Sequence, residues 1–237
     1  MIVQKFLLVV CAALASAPAL AKPSDADLIR AIDSAGVARV ELLLKEGANP
    51  NARDEKGEPA LIFALHSDHP EAATVLASWP GIDLEGENKQ QQTALMVAAY
   101  QGRLELVKRL LDNGAEVSHK GWTALHYAAS SGQIEVVKYL LDASAYLDAE
   151  SPNGTTPIMM AARHGDRAIC QLLADDGADP TPRNQAGLSA GDFAARAGDA
   201  DLSAWFKRQE VSWRARHPSL ADTAKVASPP ATPAGAE

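Results

Sequence analysis

Cysteine is the first scarcity: the 237 residues hold only two, Cys11 and Cys170. Cys11 falls in an N-terminal stretch expected to be removed, so the remaining chain keeps Cys170 alone and can form no intramolecular disulfide. Packing must hold the fold. Basic residues are also short, with Lys and Arg totalling 22 against 30 Asp and Glu, a formal charge of −8. No stripe of Lys and Arg precedes the C-terminal tail, which disfavours nucleic acid as a partner, because phosphate neutralisation needs such a stripe. Beyond the N-terminus no segment approaches the roughly 20 apolar residues of a membrane-spanning helix. A Gly-rich phosphate loop, a metalloprotease helix, a paired-cysteine zinc pattern and a Gly-x-Ser-x-Gly elbow are all missing, and with them the common routes to catalysis.

The N-terminus is organised differently from the rest. Lys5 precedes an apolar run from Phe6 to Ala15, and Ala19-Leu20-Ala21 then supplies small residues at the first and third positions of an Ala-x-Ala site. That is the layout of a secretory signal peptide, with cleavage expected after Ala21 and a mature chain beginning at Lys22. Loss of Lys5 takes the formal charge from −8 to −9. The expected destination is the periplasm, with secretion into the medium as the alternative. Val10 stands before Cys11 where a lipoprotein signal needs a small residue, so lipid attachment is not expected.

One short phrase recurs through the body of the chain. It reads Thr93-Ala-Leu-Met-Val-Ala-Ala99, Thr123-Ala-Leu-His-Tyr-Ala-Ala129, Thr156-Pro-Ile-Met-Met-Ala-Ala162 and Ser189-Ala-Gly-Asp-Phe-Ala-Ala195. Weaker copies start at Ala26 and Pro59, so the starts at 26, 59, 93, 123, 156 and 189 are spaced 33, 34, 30, 33 and 33. A second helical pattern follows each phrase. In the third copy Leu104, Val107, Leu110 and Leu111 recur three and four apart on one face, with Glu105 and Lys108 turned to solvent. Thr93, Thr123, Thr156 and Ser189 are suited to cap the first helix, and Pro157 to its first turn. Gly47, Gly114 and Gly177 are placed to end the second helix in a left-handed conformation, a task Ser144 should perform less well. Polar segments rich in turn residues, such as Asn49 to Gly57 and Asp148 to Gly154, read as hairpin fingers between helix pairs.

With the hairpins included, the unit resembles the ankyrin repeat, whose pattern runs Thr-Pro-Leu-His-x-Ala-Ala, then Gly-x-x-x-x-Val-x-x-Leu-Leu, then Gly-Ala-Asp. The resemblance covers about residues 24 to 209 and is most specific in the third to fifth copies. It implies an all-α solenoid of six helix-turn-helix repeats. The second repeat and the two terminal ones diverge: the first lacks the capping Thr, the second matches poorly around His66 to Trp79, and the sixth, ending near Trp205 and Phe206, closes the stack. The expected organisation is therefore a signal peptide over 1–21, a repeat domain over 22–209 and a flexible Pro/Ala-rich tail over 210–237. A short basic piece, Lys207, Arg208, Arg214 and Arg216, opens that tail as a solvated helix end or frayed segment.

Isolated residues with chemical potential have structural explanations. His66 and His69 with Asp68 have the donor types of a metal site, but no further ligand completes the shell and a polar inter-helix turn suffices. His126 takes the histidine position of the repeat phrase, where the family's pattern pairs it with the Thr123 hydroxyl. Cys170 falls fourteen residues after Thr156, the offset that puts Val107 after Thr93 and Val137 after Thr123, and so replaces a core valine. Asn153-Gly154 reads as a tight turn rather than a glycosylation site.

The family implies where a partner is met: the finger residue just before the Thr, and the two residues after Ala-Ala, all on the concave side. These are Gln92, Tyr100 and Gln101 in the third repeat, Trp122, Ser130 and Ser131 in the fourth, and Thr155, Arg163 and His164 in the fifth. Tyr100, Trp122 and Arg163 stand out, because Tyr, Trp and Arg dominate binding hot spots. Trp122 has a competing role, since the fourth finger is three residues shorter than its neighbours: nine positions separate Gly114 from Thr123 and twelve separate Gly177 from Ser189. The indole either meets a partner or fills the space left by missing backbone. The expected protein is a monomeric, non-enzymatic binding scaffold for an unidentified protein partner, without cofactor or metal. A secreted host-directed factor, or an accessory to an exported enzyme such as a catalase, are the alternatives.

Overall fold

A computed structural model describes residues 22–34, 36–67 and 69–218; the expected signal segment over 1–21 and the tail beyond 218 lie outside the described residues. The described chain is built of helices in pairs. They are α1 (Asp25–Asp33) with α2 (Val37–Lys45), α3 (Ala60–His66) with α4 (Pro70–Ala77), and α5 (Ala94–Tyr100) with α6 (Leu104–Asp112). Then follow α7 (Ala124–Ser130) with α8 (Ile134–Asp142), α9 (Pro157–His164) with α10 (Arg167–Asp175), and α11 (Ala190–Arg196) with α12 (Ala200–Arg216). Each pair begins within a residue or two of a repeat start read from the sequence. The first helices, α1 through α11, stack on one another in order, and so do the second helices from α2 to α10. Among the described residues no strand forms; one isolated bridge joins Arg53 to Pro59 in the finger of the second repeat.

Helices of seven to nine residues are too short to persist alone in water, so tertiary packing supplies their stability. The repeat phrase provides it. Ala98, Ala99, Ala128, Ala129, Ala161 and Ala162 are fully buried and let successive first helices approach closely. From the second helices Val107 and Leu110, Val137 and Leu140, and Cys170 and Leu173 fill the layer behind them. Each large aliphatic side chain so buried contributes on the order of 2 kcal/mol. Leu106, Val136 and Ile169 join them in the core, so the buried face of the second helix is wider than the four-residue stripe seen in the sequence.

The helix ends follow the expected punctuation with three corrections. Thr93, Thr123 and Ser189 cap their helices by accepting the backbone N–H of Met96, His126 and Asp192. Thr156 does not: its hydroxyl makes no cap bond, and the buried Oγ1 has no hydrogen-bond partner. Met159 follows three residues on, where the fourth repeat has the histidine that partners this hydroxyl, but the third repeat has Met96 there and Thr93 still caps, so the missing histidine alone does not account for it. The first repeat, in turn, is not uncapped, because Ser24 and Asp27 form a reciprocal capping box at the start of α1. At the other ends Gly47, Gly114 and Gly177 adopt φ of 91°, 97° and 99° as anticipated. Ser144 adopts φ 66° as well, and Ser144 N–H still donates to Leu141 O at 2.8 Å. The motif is kept at a steric cost of about 1 kcal/mol for a residue with a Cβ.

The last correction concerns the domain edge. α12 runs to Arg216, past the boundary expected at Gln209, so the basic piece is helical. Phe206 is fully buried against the end of the stack and meets Trp205 edge-on at 4.8 Å between ring centroids. Further along, Trp213 stacks on His217 at 4.1 Å.

Candidate functional site

Complete fingers share one closure. In that of the second repeat, Asp54 N–H donates to Glu58 O and Asp54 Oδ1 accepts from Lys56 N–H and Glu58 N–H. Asn88 repeats the pattern with Gln90 and Gln92, and Asn184 with Ala186 and Leu188. Ser151 closes its finger on Thr155 in the same way. The fourth finger has no such closure: among the described residues no backbone pair ties Ser118 to Trp122. The stretch from Gly114 to Thr123 is three residues shorter than its counterpart from Gly177 to Ser189.

Adjacent fingers are stitched as well. Arg53 donates to Glu87 O, and Gln185 bonds the carbonyls of Pro152 and Asn153 through its side-chain and backbone N–H. Around the fourth finger the bonds stay lower down: Glu85 Oε1 accepts from Glu116 N–H, and Ser118 Oγ from Tyr146 N–H. Above them a cleft of about 380 Å³ opens, lined by Glu87, Gln91, His119, Lys120, Gly121, Trp122, Glu150 and Pro152. Trp122, half-buried against the core, forms part of the wall of this cleft. The same indole walls a second, smaller dent of about 110 Å³ with Tyr127, Ser130, His126 and Met160.

Aromatic rings run across two repeats from this point. Trp122 meets His126 edge-on at 5.3 Å and Tyr127 at 6.3 Å, and Tyr127 meets Tyr100 edge-on at 6.4 Å. Tyr100 is 53% exposed, and its contact with the half-buried Tyr127 and through it with Trp122 makes a patch of it and not a single exposed ring. Tyr127 was not among the residues singled out from the sequence. Its signal was the position one residue before Ala-Ala, filled in other copies by Phe63, Val97, Met160 and Phe193, where here a tyrosine ring lies between Tyr100 and Trp122.

The other expected contact residues divide. Arg163 and His164 are exposed, and His164 Nε2 lies against Gly132, where a Cβ would come within 2.8 Å of it. Gln92 and Gln101 are half-buried and occupied: Gln92 Oε1 accepts from Asn88, and Gln101 donates to Leu65 O and accepts from Arg103. Ser130 and Ser131 each donate to Tyr127 O. Thr155 is only 3% exposed, so the expectation that it meets a partner is corrected. Its carbonyl accepts from His126 and its hydroxyl from Asn184, which makes it a link between repeats.

The remaining reactive groups are held in structural roles. His126 is fully buried; its Nδ1 lies 2.9 Å from Thr123 Oγ1 and accepts from Thr123 N–H, leaving Nε2–H to donate to Thr155 O at 2.9 Å. Burial depresses its pKa to about 4, so it stays neutral at pH 7. Burial also pushes the Cys170 thiol up to about 12, which suppresses the thiolate that redox chemistry needs. His66 Nδ1 pairs with Glu58 at 2.8 Å while His69 Nε2 bonds Asp33 O at 3.2 Å. The two rings thus serve different partners, and Asp68 lies outside the described residues. Among the described residues no helix is long and apolar enough to cross a membrane.

Paired helices, projecting fingers and an aromatic row on the first-helix side define a helical-repeat solenoid built as an interaction scaffold. The chain belongs to the ankyrin-repeat family: the family model described as "Ankyrin repeats" matches three copies over residues 28–121 and 117–184. It is similar to a putative ankyrin repeat-containing protein of Treponema pallidum (strain Nichols), with 32% identity over 75% of this chain and 50% of that protein. It is also similar to human NF-kappa-B inhibitor epsilon, with 39% identity over 65% of this chain and 33% of that protein. The chain spans at most about half the length of these relatives, and 6% of alpha-latrocrustotoxin-Lt1a of Latrodectus tredecimguttatus, which it matches at 33% identity. Ankyrin repeats are protein–protein interaction modules, and that is the activity the family assigns here.

Proposed function

We propose that this protein is exported to the periplasm and acts there as a non-catalytic scaffold that captures another protein on the concave side of its third to fifth repeats. The observation that carries the location is the row Tyr100, Tyr127 and Trp122, which ends at an open cleft where the other fingers are closed. Large rings that are exposed or half-exposed in contact with one another lose little conformational entropy on binding and bury much apolar area, which is how hot spots arise. Export rests on the charged start, short apolar run and Ala19-Leu20-Ala21 site. The lack of catalysis rests on the occupied histidines and the suppressed Cys170 thiolate.

Capture of envelope proteins by the chain beginning at Lys22 is the test. Replacing Tyr100, Tyr127 and Trp122 together with Ala is expected to abolish capture of the specific partner, while Arg163→Ala weakens it. Undiminished capture by the triple variant, with its helix content intact, would place the binding surface elsewhere. Fractionation separates periplasm from medium, and recovery mainly from the cytoplasm would contradict export.

A further inference from the structure

The cleft beside the fourth finger has a chemistry of its own. Trp122, Pro152 and Gly121 supply its apolar lining, and a Cβ at Gly121 would lie 3.6 Å from the Pro152 ring. Glu87 and Glu150 supply carboxylates to the same lining. Among the described residues Glu150, which is exposed, has no ion pair, and the Glu87 carboxylate pairs only with His119, at 3.4 Å. Lys120, on the short finger itself, is the one lysine in the lining. An apolar wall with carboxylates beside it matches a side chain with an apolar stem and a cationic tip.

The preceding finger adds a polar group at a cost. Gln91 occupies the turn position that is glycine in the other fingers, at Gly57, Gly121, Gly154 and Gly187, and it takes the same left-handed conformation at φ 58°. A Cβ makes this conformation unfavourable, so the sequence keeps an amide side chain in the cleft lining where glycine would be more stable.

We propose that the cleft is a docking site for one arginine side chain of a partner protein. The guanidinium lies against the Trp122 indole face and pairs with the carboxylates of Glu150 and Glu87, and the Gln91 amide is available to the arriving backbone. Arginine is favoured because its planar, weakly hydrated head stacks on aromatic faces and meets carboxylates through a fork of donors. The acidic excess of the whole chain, 30 Asp and Glu against 22 Lys and Arg, steers a basic segment toward this face. Lys120 is then an internal competitor, and its removal should tighten docking. This inference deepens the proposed concave-side reading, and a direct probe can fail or succeed apart from it.

The probe is the peptide acetyl-Gly-Arg-Gly-amide, titrated into the nitrogen-15-labelled protein as processed by the producing cell, with the four tryptophan indole N–H resonances as the readout. The Trp122 resonance, identified by its loss in Trp122→Leu, is expected to shift saturably while those of Trp79, Trp205 and Trp213 stay fixed. The citrulline counterpart, neutral and nearly the same shape, should leave all of them fixed. Glu150→Gln should weaken the arginine probe by about fivefold and Lys120→Ala should tighten it, the scale of one charge-assisted contact at a half-exposed site. No saturable Trp122 shift, or an equal shift with citrulline, overturns the proposal. Partner capture lost in the aromatic triple variant while the probe fails would remove this site alone; probe binding with capture unaffected by that variant would remove the concave-side reading and keep the cleft.

Discussion

The fourth and sixth fingers are built from the same repeat and end in opposite conditions. The sixth is fastened three ways: Asn184 closes its own turn by accepting from Ala186 and Leu188, reaches back to Thr155, and is flanked by Gln185 bonded to the fifth finger. The fourth, three residues shorter, has no closing turn and leaves a cleft instead. Below the tips the order reverses. The fourth repeat carries the one fully satisfied Thr–His link, from Thr123 through His126 to Thr155, whereas the fifth leaves Thr156 Oγ1 buried and unbonded. The repeat with the most open tip therefore has the best-tied base, an arrangement that lets a scaffold hold a gap without losing its stacking.

The largest expected effect breaks the base. The folded-state pKa of His126 is held at about 4 by burial, against an ordinary 6.5. A depressed imidazole pKa means the unfolded chain takes up a proton between these values while the folded chain does not. Stability from this residue is thus fully present above pH 6.5 and declines as pH falls toward 4, by about 3 kcal/mol. Urea unfolding at pH 7.5 and 4.5 should show that decline in the native chain and a clearly smaller one in His126→Met, which copies the third and fifth repeats. Equal declines would mean His126 is not the linked group.

Breaking a closed tip comes next. Asn184→Ala strands two backbone donors and the Thr155 hydroxyl, and should cost about 2 kcal/mol. Ser118→Ala, which removes a single exposed acceptor from the open finger, should cost about 0.5 kcal/mol by the same urea assay. Similar losses would erase the contrast between the fingers. Relieving strain should move stability the other way: Ser144→Gly and Gln91→Gly are each expected to gain about 1 kcal/mol, since both residues hold a left-handed backbone. The gain at Gln91 should be accompanied by weaker partner capture and that at Ser144 by none. Smallest of all is Tyr100→Ala, whose half-exposed ring should change stability by less than about 0.5 kcal/mol while reducing capture.

Much of this was legible in the sequence because repetition supplies its own internal comparison. The Thr or Ser and Ala-Ala landmarks locate the last four helix pairs, and the count from Gly114 to Thr123 exposes the short finger. What was missed depended on the neighbouring repeat. Thr155 looks like a finger contact until His126 and Asn184 reach across to it, and Thr156 looks like a cap although its buried hydroxyl has no hydrogen-bond partner. Tyr127 was passed over because its position lies within the repeat phrase, before the Ala-Ala pair, and not among the two residues after it where the family meets partners. The helical course of residues 210–216 was hidden by a break in the repeat pattern, since α12 continues past the last packing residue, Phe206, without the periodicity that burial imposes.

The central claim is that the shortened fourth finger makes the binding site. Inserting three residues between Lys120 and Gly121, in the sequence of a complete finger, tests it most directly. Partner capture by this variant is the quantity to measure, with its urea midpoint as the check on folding. The expected result is a midpoint at or above the native one together with loss of capture, because the restored turn occupies the cleft beside Trp122. Native-level capture by a folded variant would contradict the claim.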